Sequence, residues 1–159
     1  MKRPAVASLF LIAALAPIPA LAGEPTGFDG VAFETPRQEV VANTGFRAHC
    51  HPAPVTQSAA RVGGPRVTCV TYDVPEFGSL PVALLFEAED RLTGYVFYVP
   101  GERLPELRAA ALSAYGTPAR EWEQGRSIDW RWPSGTVASL TSLCRGSEAC
   151  LTVRRPHAR

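Results

Sequence analysis

The sequence predicts an α+β domain in which an antiparallel sheet packs against two helices. Three observations carry that prediction. Segments rich in Val, Thr, Tyr and Phe recur between turn residues, at 67–73, 81–87 and 92–99. Helix start and stop signals occur twice, at 35–45 and 105–116. Successive strand signals are not joined by the long helical crossover that a parallel pair requires. The order of a helix ending in glycine followed by strands occurs twice, with Gly45 and Gly116 at equivalent points, so a duplicated helix-plus-strands unit is one reading of the chain.

The first 22 residues precede this domain. Lys2 and Arg3 lead into an apolar run from Ala5 to Ala16, and Ala20-Leu21-Ala22 follows, the layout of a cleavable secretory signal peptide. The run is short for a bilayer span and is broken at Pro17 and Pro19, so no membrane span is expected in the mature chain. Cleavage near Ala22 would place Gly23 first, in the periplasm or outside the cell. Glu24 stands where a lipoprotein signal would have its cysteine, so no lipid anchor is expected. The expected organisation is a signal peptide at 1–22, a flexible leader at 23–30, one domain at 31–155 and a tail at 156–159.

Such a length fits one domain that buries about two thirds of its unfolded surface. The 16 basic and 15 acidic residues lose Lys2 and Arg3 on cleavage, which turns a formal charge of +1 weakly negative. Nothing in that balance attracts nucleic acid. No lysine remains, which base composition explains more simply than a need for arginine's planar fork. The cluster Arg154, Arg155, His157 and Arg159 reads as a solvated tail.

In chain order, Thr35-Pro36-Arg37-Gln38 opens the first helix, with threonine as N-cap, proline at the first helical position and glutamine reaching back. Val40 and Val41 supply its apolar side, and Gly45 stops it. A strand is expected at 46–51, then a loop over 52–65 whose prolines and glycines argue against regular structure. Val67 to Asp73 alternates and is β-branched. Pro81 to Glu87 reads as a buried strand, and the polar turn 88–91 joins it to Leu92–Val99. Leu104, Leu107, Ala111 and Ala114 then recur at helical spacing, opened by Pro105 and closed by Gly116 and Pro118. Three further strands are expected at 128–132, 136–143 and 149–154.

Four cysteines in an exported chain imply two disulfides. Cys50 with Cys69 and Cys144 with Cys150 are favoured, since each pair brackets a connection between expected strands; the crossed pairings would tie the two halves together instead. The favoured loops would contribute about 3 and about 2 kcal/mol through chain entropy. His49-Cys50-His51 offers imidazole and thiolate ligands, but alternate residues of a strand face opposite ways and a disulfide would consume the sulfur. No metal or other cofactor is therefore expected, although His49 and His51 are the residues an envelope enzyme or metal-binding protein would use. The carboxylates Glu87, Glu89 and Asp90 read as a solvated turn. No nucleophile elbow, phosphate loop or dinucleotide fingerprint is present, so no catalytic residue is assigned.

Ile128-Asp129-Trp130-Arg131-Trp132 places Ile128, Trp130 and Trp132 on one strand face and Asp129 and Arg131 on the other. Packed under the 105–115 helix, these indoles are core. Left open, Trp130 and Trp132 with Trp122 and Tyr98 would form an aromatic platform, with Arg131 selecting an acidic group.

Taken together, Thr35-Pro36 with Glu39-Val40, Leu84-Leu85-Phe86 through Asp90-Arg91-Leu92, and Tyr115-Gly116-Thr117-Pro118 followed by Trp122 and Trp130-Arg131-Trp132 resemble small exported modules of the SmpA/OmlA and β-lactamase-inhibitor-like group. The resemblance implies a helix layer on an antiparallel sheet and a role in binding envelope or secreted proteins, including enzyme inhibition. It transfers no binding residue. The expected class is a non-enzymatic binding module, with a structural part in an envelope assembly as the other protein-binding reading.

Overall fold

A computed structural model describes residues 23–43, 66–74, 77–122 and 126–156. The expected signal peptide, Gly45, the 46–51 strand with His49, Cys50 and His51, and the 52–65 loop lie outside the described residues.

Seven strands form one antiparallel sheet: β3 (Arg66–Val74), β4 (Gly78–Glu87), β5 (Arg91–Pro100), β6 (Arg120–Trp122), β7 (Ser127–Arg131), β8 (Val137–Arg145) and β9 (Glu148–Arg154). Their spatial order is β3-β4-β5-β9-β8-β7-β6. Two up-and-down runs, β3 to β5 and β6 to β9, thus meet where β5 pairs with β9. Helix α1 (Arg37–Asn43) precedes the first run and helix α2 (Leu104–Tyr115) the second.

The fold is mostly β rather than α+β. Helical residues make up 23% of those described, and the long helical stretch is the 15 residues in which a 3₁₀ turn at Gly101–Arg103 leads into α2. Helix α1 has only seven residues, under two turns. Among the described residues the two helices also differ in length, seven residues in α1 against twelve in α2.

What the first helix does not cover is covered by a small hairpin, β1 (Gly27–Phe28) with β2 (Val31–Ala32). The leader expected to be flexible is therefore part of the fold. Asp29 and Gly30 have φ of 49° and 77°, the left-handed pair that a two-residue hairpin turn demands. That turn lays Phe28 into the core, with ring centroids 5.0 Å from Tyr72 and 5.0 Å from Tyr95. The Tyr72 hydroxyl donates to Asp29 Oδ1 at 2.7 Å. Upstream, the Glu24 carboxylate accepts from the Ser134 hydroxyl and from the fully buried Thr136 hydroxyl, the latter at 2.7 Å. These bonds, led by Ser134 and assisted by the charge of Arg155, hold the Glu24 carboxyl below its usual range. Gly23 N–H donates to Ala114 O at 3.0 Å, which fastens the leader to the end of α2.

Helix α1 starts at Arg37 because its entry is committed to the sheet: Pro36 bridges to Arg91, and Thr35 O accepts from Leu92 N–H at 3.0 Å. Val40 is fully buried, whereas Val41, expected on the same apolar side, is 47% exposed. Seven residues present too narrow a stripe to bury both. The β4–β5 hairpin turns through Glu89 and Asp90, at φ of 60° and 59°. Its register slips between Leu85 and Phe86, which leaves Thr93 as an extra residue. Buried Thr93 is satisfied locally, its hydroxyl donating to Leu85 O at 3.3 Å and its carbonyl accepting from Arg155 N–H at 2.7 Å. Next to it, Gly94 has no alternative: a Cβ there would lie 2.3 Å from Val153 O on β9.

Helix α2 ends as its sequence dictates, with Gly116 at φ 76° and its N–H on Leu112 O at 2.9 Å. The main core lies on the sheet face beneath α1, α2 and the β1–β2 hairpin. Among its fully buried side chains are Trp130, Phe86, Leu84, Leu92, Ile128 and Leu140, each contributing about 1.5–3 kcal/mol by burial.

Candidate functional site

Strand register defines what the opposite face of the sheet presents. One row of directly paired residues runs Arg120, Asp129, Ser139, Thr152, Val96, Ala83 and Cys69, from β6 across to β3. The next row runs Trp122, Ser127, Thr141, Cys150 and Tyr98. At the β4–β5 end this face is apolar and buried, where Ala83, Leu85, Val96, Tyr98 and Cys150 cluster. Toward β6 it becomes polar, with Ser127, Ser139, Thr141 and Thr152 half-buried and Arg131 and Trp122 exposed. Among the described residues Val41 and Trp122 are the exposed large hydrophobic side chains, and only Trp122 lies in the sheet.

The polar end has an ordered charge pattern. Asp129 is buried, although strand alternation points it away from the main core, because Ser139 donates to Oδ1 at 2.7 Å and Arg131 lies 3.6 Å from Oδ2. Arg131 itself is largely exposed, so this ion pair leaves much of its guanidinium facing water. Arg120 lies over the Trp122 ring at 5.0 Å, a cation–π contact that orients the indole on the edge strand. Two guanidinium groups, one ion-paired carboxylate and one indole thus share a surface built on paired strands. Chemically it offers contact and charge complementarity.

The expected aromatic platform does not assemble. Trp130 is core, its Nε1 donating to Gly116 O at 2.9 Å. Trp132 is half-buried on the same side, edge-on to Tyr115 at 5.7 Å. Tyr98 shares the Trp122 face but is buried in the smaller cluster. Trp122 and Arg131 remain on the polar face. The signal that separates them is strand parity: Trp122 falls in β6, whose three residues carried no strand signature but pair with β7 in a register that sets Trp122 opposite Ser127.

Cys144 and Cys150 form a disulfide with Cα atoms 5.7 Å apart, closing the β8–β9 turn and bringing covalent constraint to this end of the sheet. Cys69 is also disulfide-bonded, and Cys50 lies outside the described residues. A disulfide is compatible with an oxidising, exported location. Among the described residues no helix is long and apolar enough to cross a membrane, and no cluster of three His, Cys, Asp or Glu side chains could hold a metal.

A second feature lies on the covered face. Between α2 and the sheet is a cavity of about 130 Å³, walled by Val74, Leu80, Phe97 and Leu151 below and Leu107, Ala110, Ala111 and Ala114 above, with Phe77 and Tyr115 at its sides. Three alanines stand where larger helix residues would fill the space. Arg103 braces the Phe77 wall, stacked 4.5 Å from its ring and donating to its carbonyl at 3.2 Å. Tyr115 hydrogen-bonds Tyr95 hydroxyl to hydroxyl at 3.2 Å, and burial pushes both phenols up, so both stay neutral.

Comparison of the chain with protein-family models, with curated proteins and with solved structures gives no match.

Proposed function

We propose that the protein is a non-enzymatic exported module that binds, and in doing so inhibits or organises, an envelope or secreted protein. The observation that carries this reading is the polar end of the sheet, where exposed Trp122 lies under Arg120 on the edge strand and exposed Arg131 stands on the same face of β7, beyond Asp129. An indole that can be desolvated, with one guanidinium over it and a second further along the same face, suits a partner with an apolar recess and carboxylates at its rim. The Cys144–Cys150 bond supports an oxidising compartment, and the signal-peptide pattern of residues 1–22 supports export to the periplasm or beyond. The SmpA/OmlA-like and β-lactamase-inhibitor-like resemblance adds the same protein-binding class.

Affinity capture of envelope and secreted proteins at several salt concentrations tests the reading. One partner should be retained reproducibly, released as salt rises, and weakened at least tenfold by either Trp122→Ala or Arg131→Glu, while Val41→Ala leaves it bound. Failure to retain a reproducible partner, or retention undiminished by both variants, would defeat the proposal.

A further inference from the structure

We propose that the cavity beneath α2 is a binding site for a compact, neutral, apolar molecule about the size of one six-membered ring. Its volume of about 130 Å³ is close to the roughly 150 Å³ of an apolar cavity known to admit benzene. Nine of its ten wall residues are hydrocarbon side chains, and the tenth, Tyr115, is neutral. An ionised ligand would lose its hydration there with nothing to replace it, so charge is selected against. Access is at Ala110, Ala114 and Phe77, which are half-buried or exposed, whereas Leu107 and Ala111 are buried at the inner wall.

A protein segment is the wrong occupant. A stable protein contact needs about 800 Å² on each side, and a large apolar rim would be its signature. Neither Val41 nor Trp122, the exposed large hydrophobics among the described residues, lines the cavity. The opening is framed by alanines and by Phe77 under Arg103, which leaves room for an object that enters the cavity rather than one that spreads across its mouth. This site shares no residue with the Trp122 face, so either can fail without the other.

The test uses the full chain, exported and oxidised, titrated with toluene and, separately, with hexanoate, while methyl resonances of Leu80, Leu107 and Leu151 are followed by NMR. Toluene should shift them saturably and raise the melting temperature, and hexanoate should bind at least tenfold more weakly. Ala111→Leu, which fills the inner wall, should weaken toluene binding at least tenfold. If that variant fails to fold, Ala110→Leu at the half-buried mouth gives the same reading. Absence of saturable shifts, shifts that persist in the folded filled variant, or equal binding of hexanoate would overturn the proposal.

Discussion

One face of the seven-stranded sheet buries Phe86, Leu84, Leu92, Leu140 and Trp130 under helices and a hairpin, while the other, at its β6–β9 end, carries Ser139, Thr141, Thr152, Arg131 and Trp122. The two surfaces are made by alternate residues of the same strands. Asp129 and Trp130 are neighbours in sequence, yet one ends in an ion pair with Arg131 and the other donates its indole N–H to the turn after α2. The covered face therefore holds the fold together, while the polar end of the other presents Trp122 and Arg131 exposed. Substitutions on the two should separate stability from binding.

The largest effect is expected for Trp130→Ala, which removes a fully buried indole and orphans the Gly116 carbonyl. Denaturant unfolding should show a loss of about 3–5 kcal/mol. A loss under 1 kcal/mol would mean that the covered face is not the source of stability. Gly94→Ala tests the seam between the two strand runs, because the added Cβ would meet Val153 O at 2.3 Å and force β5 from β9. About 2 kcal/mol should disappear in the same measurement.

The rim of the covered face should respond to alkaline pH. Tyr72 is pushed up to about 12, by burial first and then by its bond to Asp29 and that carboxylate's charge. Its neutral form is the one the fold favours, so the associated stability is intact below about pH 10 and fades as pH climbs toward 12. Melting curves of Tyr72→Phe should lack that part of the alkaline decline; an unchanged slope would remove Tyr72 as its cause. The smallest effect belongs to the open face: Trp122→Ala should stay within about 0.5 kcal/mol of the parent chain. A larger loss would show that this indole supports the fold, and the distinction between the two faces would collapse.

Much of the chain's local order is written in its residues. Pro105, the Leu104–Leu107–Ala111 spacing and Gly116 define α2 to within one residue, and the β-branched and aromatic runs define β3, β4 and β5. The β1–β2 hairpin falls in a leader expected to be flexible: Asp29-Gly30 is a turn signal, but with only two residues per strand no alternation marks the strands. Strand β6 had no local signal, since its three exposed residues are strands only by virtue of pairing with β7. The expected weight of helix was too high for a related reason: α1 has good start chemistry, but a short helix is extended only if tertiary packing continues it, and its first residues are tied instead to β5.

The candidate site divides in the same way. Period two alone separates Trp130 and Trp132 from Asp129 and Arg131, because successive side chains of a strand leave it in opposite directions. Which of those two directions is covered depends on where α2 and the β1–β2 hairpin come to rest, a long-range outcome of burying the most apolar surface. Sequence by itself thus determined the turns, most strand segments, the α2 boundaries and the pairing of Cys144 with Cys150 across a tight turn. Only the tertiary structure decided that the fold is mostly β, that Trp122 rather than Trp130 is presented to solvent, and that three alanines of α2 leave a cavity over the sheet. Local sequence acts through φ/ψ preference and side-chain period over a few residues, whereas exposure and unfilled volume are properties of surfaces that meet only after the chain has folded.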